Sequence, residues 1–209
     1  MGVLQAGLVG QIRKKAGNFV FSNWKGINTA RAYAIPANPN TVPQQNQRSK
    51  FKAVVQLASS LLATLIVTFW NPLAVGMSGF NSFVKSIFPD VSSTGLIQVA
   101  CKVTKGTLEP IRNLVATYTT GTGAFSLTWV GDIIGNGLAT DHVNVLILNS
   151  TDNSVVAYIP TVADRSEETF DSVTTSGLTA TNLIFFVWCD RGTGSEFMVS
   201  DSLGDVASA

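Results

Sequence analysis

The chain has 209 residues, 45% hydrophobic and only 13% charged, which excludes wholesale disorder and leaves much of the surface to Ser, Thr, Asn, Gly or apolar side chains. Net charge is +1, but residues 1–89 hold nine basic residues and no carboxylate, whereas residues 90–209 hold five basic and all 13 acidic ones. A basic segment of this kind suits nucleic acid, an anionic membrane or an acidic protein surface, and the last has a candidate within the same polypeptide.

Residues 1–40 are punctuated by glycine and alternate in polarity. The stretches 17–24 (GNFVFSNW) and 27–35 (INTARAYAI) predict two short strands around a Lys25-Gly26 turn, a hairpin or extended arm. This arm carries Arg13, Lys14, Lys15, Lys25 and Arg31 together with Phe19, Phe21, Trp24 and Tyr33. Rings among basic residues can stack on bases, so nucleic acid is a possible secondary partner. The basic density is low for a packaging arm, and anchoring of the rings to a neighbouring subunit is the expected role. Ordering about 40 residues costs on the order of 40 kcal/mol of backbone entropy, which a lone hairpin recovers poorly. An ordered arm must therefore lie on something. The opening MGVLQAGLVG lacks the charged n-region of a secretory signal, and the chain is expected to start life in the cytoplasm.

Asn38-Pro39-Asn40 reads as a turn, Thr41 as a helix N-cap and Gln44 as its capping-box partner, with Pro43 tolerated in the first turn. The predicted helix runs from 42 to 69 or 70, bears Arg48 on its early outer face, and ends at Asn71-Pro72. Its expected apolar stripe is Phe51, Val55, Ala58, Leu62, Leu65 and Phe69, with Gln56, Ser59, Ser60, Ala63, Thr64 and Thr68 opposite. Residues 53–70 are uncharged over a length that just reaches a membrane span, but the one-sided stripe favours packing against protein, and no span is expected. A second helix over 78–88 presents Phe80, Phe83, Val84 and Ile87 and is closed by Pro89. Two one-striped helices need a sheet to cover.

From residue 94 the texture becomes β-branched and turn-broken. Expected strands are 96–102, 115–120, 124–129, 142–148, 154–159, 169–174, 183–189 and 196–200. The fold class is α+β: an N-terminal arm (1–40), a helical segment (41–92) and an antiparallel β-sandwich of immunoglobulin or fibronectin type III kind (93–209). Cys101 and Cys189 are read as two buried thiols, with an inter-sheet bridge near Trp129 as the alternative.

Little in the chain points to catalysis. His142 is the only histidine, and on a strand it points away from the adjacent Asp141, so neither a multi-histidine metal site nor that acid–base pair can form. The run Asp164, Arg165, Glu167, Glu168 reads as a solvated turn or as an acidic patch that receives a basic partner. No phosphate loop, nucleophile elbow or ligand pair occurs, so no enzyme, cofactor or metal is expected.

The segment Gly17 to Phe51 resembles an N-terminal signature shared by uncharacterised Bacteroidota proteins and related phage-encoded structural proteins. In that signature a hairpin with an aromatic residue before Lys-Gly, then an Arg, then Asn-Pro-x-Thr-x-x-Gln-x-x-x-Arg precede a helix. The matching positions are Trp24, Lys25, Gly26, Arg31, Asn38, Pro39, Thr41, Gln44 or Gln45, and Arg48. The later half is similar in layout, with a strand ending at Trp129, another from Asp141 to Leu148, Arg165 in a loop, and a closing strand followed by Ser200 to Ser202. The resemblance implies a non-enzymatic virion component (capsid, connector or tail) of a phage infecting a Bacteroidota host, forming homo-oligomers and contacting other virion proteins. The alternative is a surface-exposed sandwich that binds a host polymer or protein.

Overall fold

The computed structural model describes residues 2–4, 14–24, 27–35, 37–174, 178–192 and 197–208, and the side chains of 2–4 and of Trp24 lie outside that description. Its fold is mixed helix and sheet, with few helices and many antiparallel strands arranged in three sheets. The chain divides into two compact units, Met1–Thr41 and Val42–Ala209.

The first unit is a four-stranded antiparallel sheet. Strands β1 (Gly2–Leu4), β2 (Lys14–Ala16), β3 (Phe19–Trp24) and β4 (Ile27–Ala32) lie in the order β1-β4-β3-β2. The expected hairpin is present as the β3–β4 ladder, from Phe19 opposite Ala32 to Trp24 opposite Ile27, and two further strands flank it. A two-residue turn joins β2 to β3, and its first residue, Gly17, sits at φ +57, where a Cβ is disfavoured.

The second unit begins with α1 (Val42–Ser60), which starts directly after Thr41 and has Pro43 in its first turn. The expected single helix to residue 70 is instead broken. A nine-residue π-helical segment, Leu62–Trp70, follows at 90° to α1. The N–H of Ile66 donates to the carbonyl of Leu61 and that of Asn71 to Ile66, five residues back in each case. At the bend the Ser59 and Ser60 hydroxyls donate to the carbonyls of Val55 and Leu57, the kind of side-chain intrusion that bends helices. The buried face is Val54, Leu57, Ala58, Leu61, Leu65, Ile66, Phe69 and Trp70, so the expected stripe was out of register at its start. Phe51 and Leu62 are 56% and 45% exposed. Helix α2 (Gly79–Ile87) is capped by Ser78, whose Oγ accepts from the N–H of Asn81 at 3.3 Å, and buries Phe83 and Ile87.

The remaining strands form two sheets. β7 (His142–Asn149), β8 (Val155–Asp164), β10 (Leu183–Arg191), β11 (Met198–Val199) and β12 (Leu203–Val206) make a five-stranded sheet with β10 paired to β7, β11 and β12. β5 (Arg112–Tyr118), β6 (Ala124–Val130) and β9 (Thr169–Val173) make a three-stranded one. The larger sheet is covered on both faces. Leu146, Leu148, Ile184, Phe186 and Trp188 pack with the helices, whereas Val143, Val145, Ile147, Phe185, Val187 and Cys189 pack with Ala116, Phe125, Leu127 and Trp129 of the smaller sheet. Burial on two sides is why β7 and β10 read as unbroken apolar runs, while β6, solvated on one face, alternates.

The strand expected at 96–102 is absent. That segment is irregular and crosses the helix-side core, burying Ile97, Cys101 and Val103. Distant side chains hold its backbone in place of a ladder: Ile97 N–H donates to Asn153 Oδ1 and Val103 N–H to Ser202 Oγ, both at 2.8 Å. β12 was not expected from the sequence at all; of the strand expected over 196–200, residue 196 lies outside the described residues and the rest is strand only at β11. The two cysteines are free and buried in separate cores on opposite faces of the central sheet, so the bridge does not form.

Candidate assembly surfaces

The register of the N-terminal sheet sorts its side chains into two faces, because antiparallel partners point the same way. Ala16, Phe19, Phe21, Ala30 and Ala32 share one face with Lys14. The Phe19 and Phe21 ring centroids stand 6.4 Å apart, and Phe19 is 54% exposed. Lys15, Val20 and Arg31 form a row on the other face, beside Ser22 and Thr29, whose hydroxyls are hydrogen-bonded at 2.7 Å. Lys15 Nζ lies 3.7 Å from the Tyr33 ring centroid, a cation–π contact. The expected arm residues Lys14, Lys15, Phe19, Phe21, Arg31 and Tyr33 are thus brought together, divided between an apolar and a basic face. Arg13, Lys25 and the side chain of Trp24 lie outside the described residues.

Every residue from Thr41 to Ser49 is exposed, including Gln44 and Arg48 at i, i+4 on α1.

The predicted acidic patch is only partly a solvated turn. Asp164 Oδ1 lies 3.3 Å from His142 Nδ1, which pairs the histidine with a cross-strand carboxylate and not with its neighbour Asp141. Glu168 adopts the left-handed region at φ +58, and its Oε1 accepts from the N–H of Gly131 at 3.1 Å. Glu167 is exposed. Arg165, expected in solvent, is instead wholly buried. Its Nε donates to Asp141 Oδ2 at 3.2 Å, and its other nitrogens donate to the carbonyls of Pro110 and Glu109. Its own carbonyl accepts from Trp129 Nε1 at 3.0 Å. Asp141, equally buried, also accepts from Arg191 Nε and from the N–H of Leu138. A carboxylate removed from water requires such partners, and this one clamps the 164–168 turn, the 131–141 loop and the end of β10 together. Sequence reasoning weighed Asp141 only against His142 and missed the clamp. The signal was there in one arginine within an otherwise acidic run.

Toward the helix side of the same sheet end, Asn144 Nδ2 donates to Asp190 Oδ1, and Asn144 Oδ1 accepts from the N–H of Thr161 at 3.1 Å. Burial pushes the Asp190 carboxyl above its ordinary range, against the opposing effect of Asn144. Burial likewise pushes the Cys189 thiol up to about 12 and raises Cys101. Among the described residues no group of three or more His, Cys, Asp or Glu could hold a metal ion. No single described helix is long and apolar enough to cross a membrane, although α1 and the bent π-helical segment together reach that length and composition.

Residues 11–200 match the model of a family described as a family of unknown function (DUF6266). No curated protein and no solved structure matches the chain.

Proposed function

The chain belongs to the DUF6266 family, and from the exposed apolar face of its N-terminal sheet we propose that it is a non-enzymatic structural subunit that self-assembles through that sheet. In this reading the particle is a bacteriophage virion, as the resemblance of residues 17–51 implies, with a Bacteroidota host. The body carries an immunoglobulin- or fibronectin type III-like sandwich with a helical layer added.

One observation carries the reading. Among the described residues of the four-stranded sheet none is buried, Phe19 is 54% exposed and Phe21 half-buried, so the sheet has little apolar burial of its own to hold it in water. Burying a large apolar side chain contributes about 1.5 to 3 kcal/mol, whereas an exposed ion pair contributes about 0 to 1 kcal/mol. Apolar contact with a neighbour would therefore hold the arm, and its basic residues would set orientation and association rate. Both hydrophobic cores lie within Val42–Ala209, so the body can fold without the arm.

The test is deletion of residues 1–36. The truncated chain is expected to melt cooperatively and to sediment as a monomer where the full chain assembles. Oligomers of unchanged size from the truncated chain would remove the proposal.

A further inference from the structure

The arm needs an acceptor, and one surface of the body has the matching chemistry. The 131–138 loop exposes three large aliphatic side chains, Ile133 (64%), Ile134 (42%) and Leu138 (48%). Carboxylates border them. Asp132 lies within the loop, the Glu168 carboxylate is bonded to Gly131, and Glu109 Oε2 stands beside Gly135. Glu167 belongs to the same turn, which is tied to the loop by the Ser166 N–H donating to the Ala139 carbonyl at 3.2 Å.

The loop is also built to be rigid. Asn136 accepts from the N–H of Glu109 and donates to the carbonyl of Thr107, both at 2.9 Å. Gly137 packs against the buried Arg165 guanidinium, and a Cβ on Gly131 would overlap the Arg165 carbonyl oxygen. Surface aliphatics are usually scattered; three exposed on one fixed loop, beside the exposed carboxylates of Asp132 and Glu167, form a candidate binding patch whose ordering cost is already met by the fold. Glu109 is itself paired with Arg112, and Arg191 donates to the Asn136 carbonyl.

Resting on the assembly reading above, we infer that the Ile133, Ile134, Leu138 knob is the acceptor for the N-terminal sheet of a second copy of this chain. Residues 1–41 carry five basic residues and no acidic one, and the apolar face with Phe19 and Phe21 carries Lys14. The apolar face meets the aliphatic side chains, and its one described basic residue, Lys14, on an arm that carries net positive charge, meets the exposed carboxylates Asp132 and Glu167. Two copies of the arm would instead repel each other. Because donor and acceptor are different surfaces, the contact either closes by reciprocal exchange into a two-fold dimer or propagates head to tail into rings or filaments.

The experiment uses three full-length chains in sedimentation velocity: wild type, an arm-defective Phe19→Ser/Phe21→Ser variant, and an acceptor-defective Ile133→Asp/Ile134→Asp variant. Each variant alone is expected to need about tenfold or more concentration to assemble. A 1:1 mixture of the two is expected to form a heterodimer, since each supplies the surface the other lacks. Asp132→Lys/Glu167→Lys, which leaves the aliphatics in place, is expected to weaken assembly more at low salt than at high. If the arm variant fails to assemble while the Ile133/Ile134 variant assembles like wild type, the acceptor is elsewhere and the arm reading stands. If wild type is monomeric throughout, both fail.

Discussion

Arg165 and Asp141 form an ion pair from which water is excluded on both sides, Nε to Oδ2 at 3.2 Å, with neither side chain exposed. Breaking such a pair from one side leaves an uncompensated buried charge, typically at a cost of about 3 to 5 kcal/mol. Asp141→Ala is therefore expected to destabilise the body by about that amount, because it orphans Arg165 and releases Arg191 and the Leu138 N–H together. Arg165→Ala should cost a similar amount, and the double variant less than the sum. Urea unfolding of the four chains in a double-mutant cycle measures the coupling, and additive losses would show that the pair is not a unit.

How far this organisation is visible in the sequence depends on how local its causes are. The β3–β4 hairpin, α2 with its Ser78 cap, and the one-sided alternation of β6 are set by neighbours within a few residues, and their positions follow from spacing. The stripe of α1 fails because the chain turns through 90° after Ser60 and then closes hydrogen bonds five residues back, so a 3.6-residue period cannot be carried across. The clamp joins Asp141 to residues 24 and 50 positions away, a separation no local pattern encodes. Of the two proposed assembly surfaces, the aromatic arm was legible, but the exposed Ile133 and Ile134 were not. Exposure of an aliphatic loop is decided by what the loop packs on.

β12 is the plainest case of tertiary context overriding propensity. Its sequence, LGDV, contains two residues depleted in strands, yet it pairs with β10, with Gly204 opposite Phe186. A Cβ at Gly204 would overlap the Val99 carbonyl oxygen and meet the Phe186 ring at 3.0 Å. Gly204→Ala is expected to lower stability by about 1 to 3 kcal/mol through overpacking. Hydrogen exchange should accelerate first along Leu203–Val206. Unchanged protection there would show that the backbone yields at little cost.

The thiols offer a reading of core integrity. Cys189 is fully buried with its pKa pushed up to about 12, and Cys101, 1% exposed, is raised by burial as well. Reaction requires a thiolate that reagent can reach, so neither cysteine should react with Ellman's reagent in the native protein at pH 8. Two thiols per chain should appear together on unfolding. Early release of one would mean that the two cores open separately.

Asp190 gives the stability a defined dependence on pH. Burial raises its folded-state pKa above the ordinary 3.8; Asn144 and His142 oppose the shift and Asp141 adds to it. Between the two values the native state holds more protons than the unfolded chain, so this group's contribution falls as pH rises through that window and stays low at neutral pH. Asp190→Asn removes the cost of the buried charge and keeps a carbonyl acceptor for the Asn144 amide. The variant should therefore melt above wild type at pH 7, with the gain shrinking toward zero as the pH is lowered below about 3.8, where the carboxyl is protonated in both states. Thermal melts at pH 3.5, 5 and 7 decide the matter. A variant less stable than wild type at pH 7 would show that the Asp190 charge contributes attraction exceeding its burial cost.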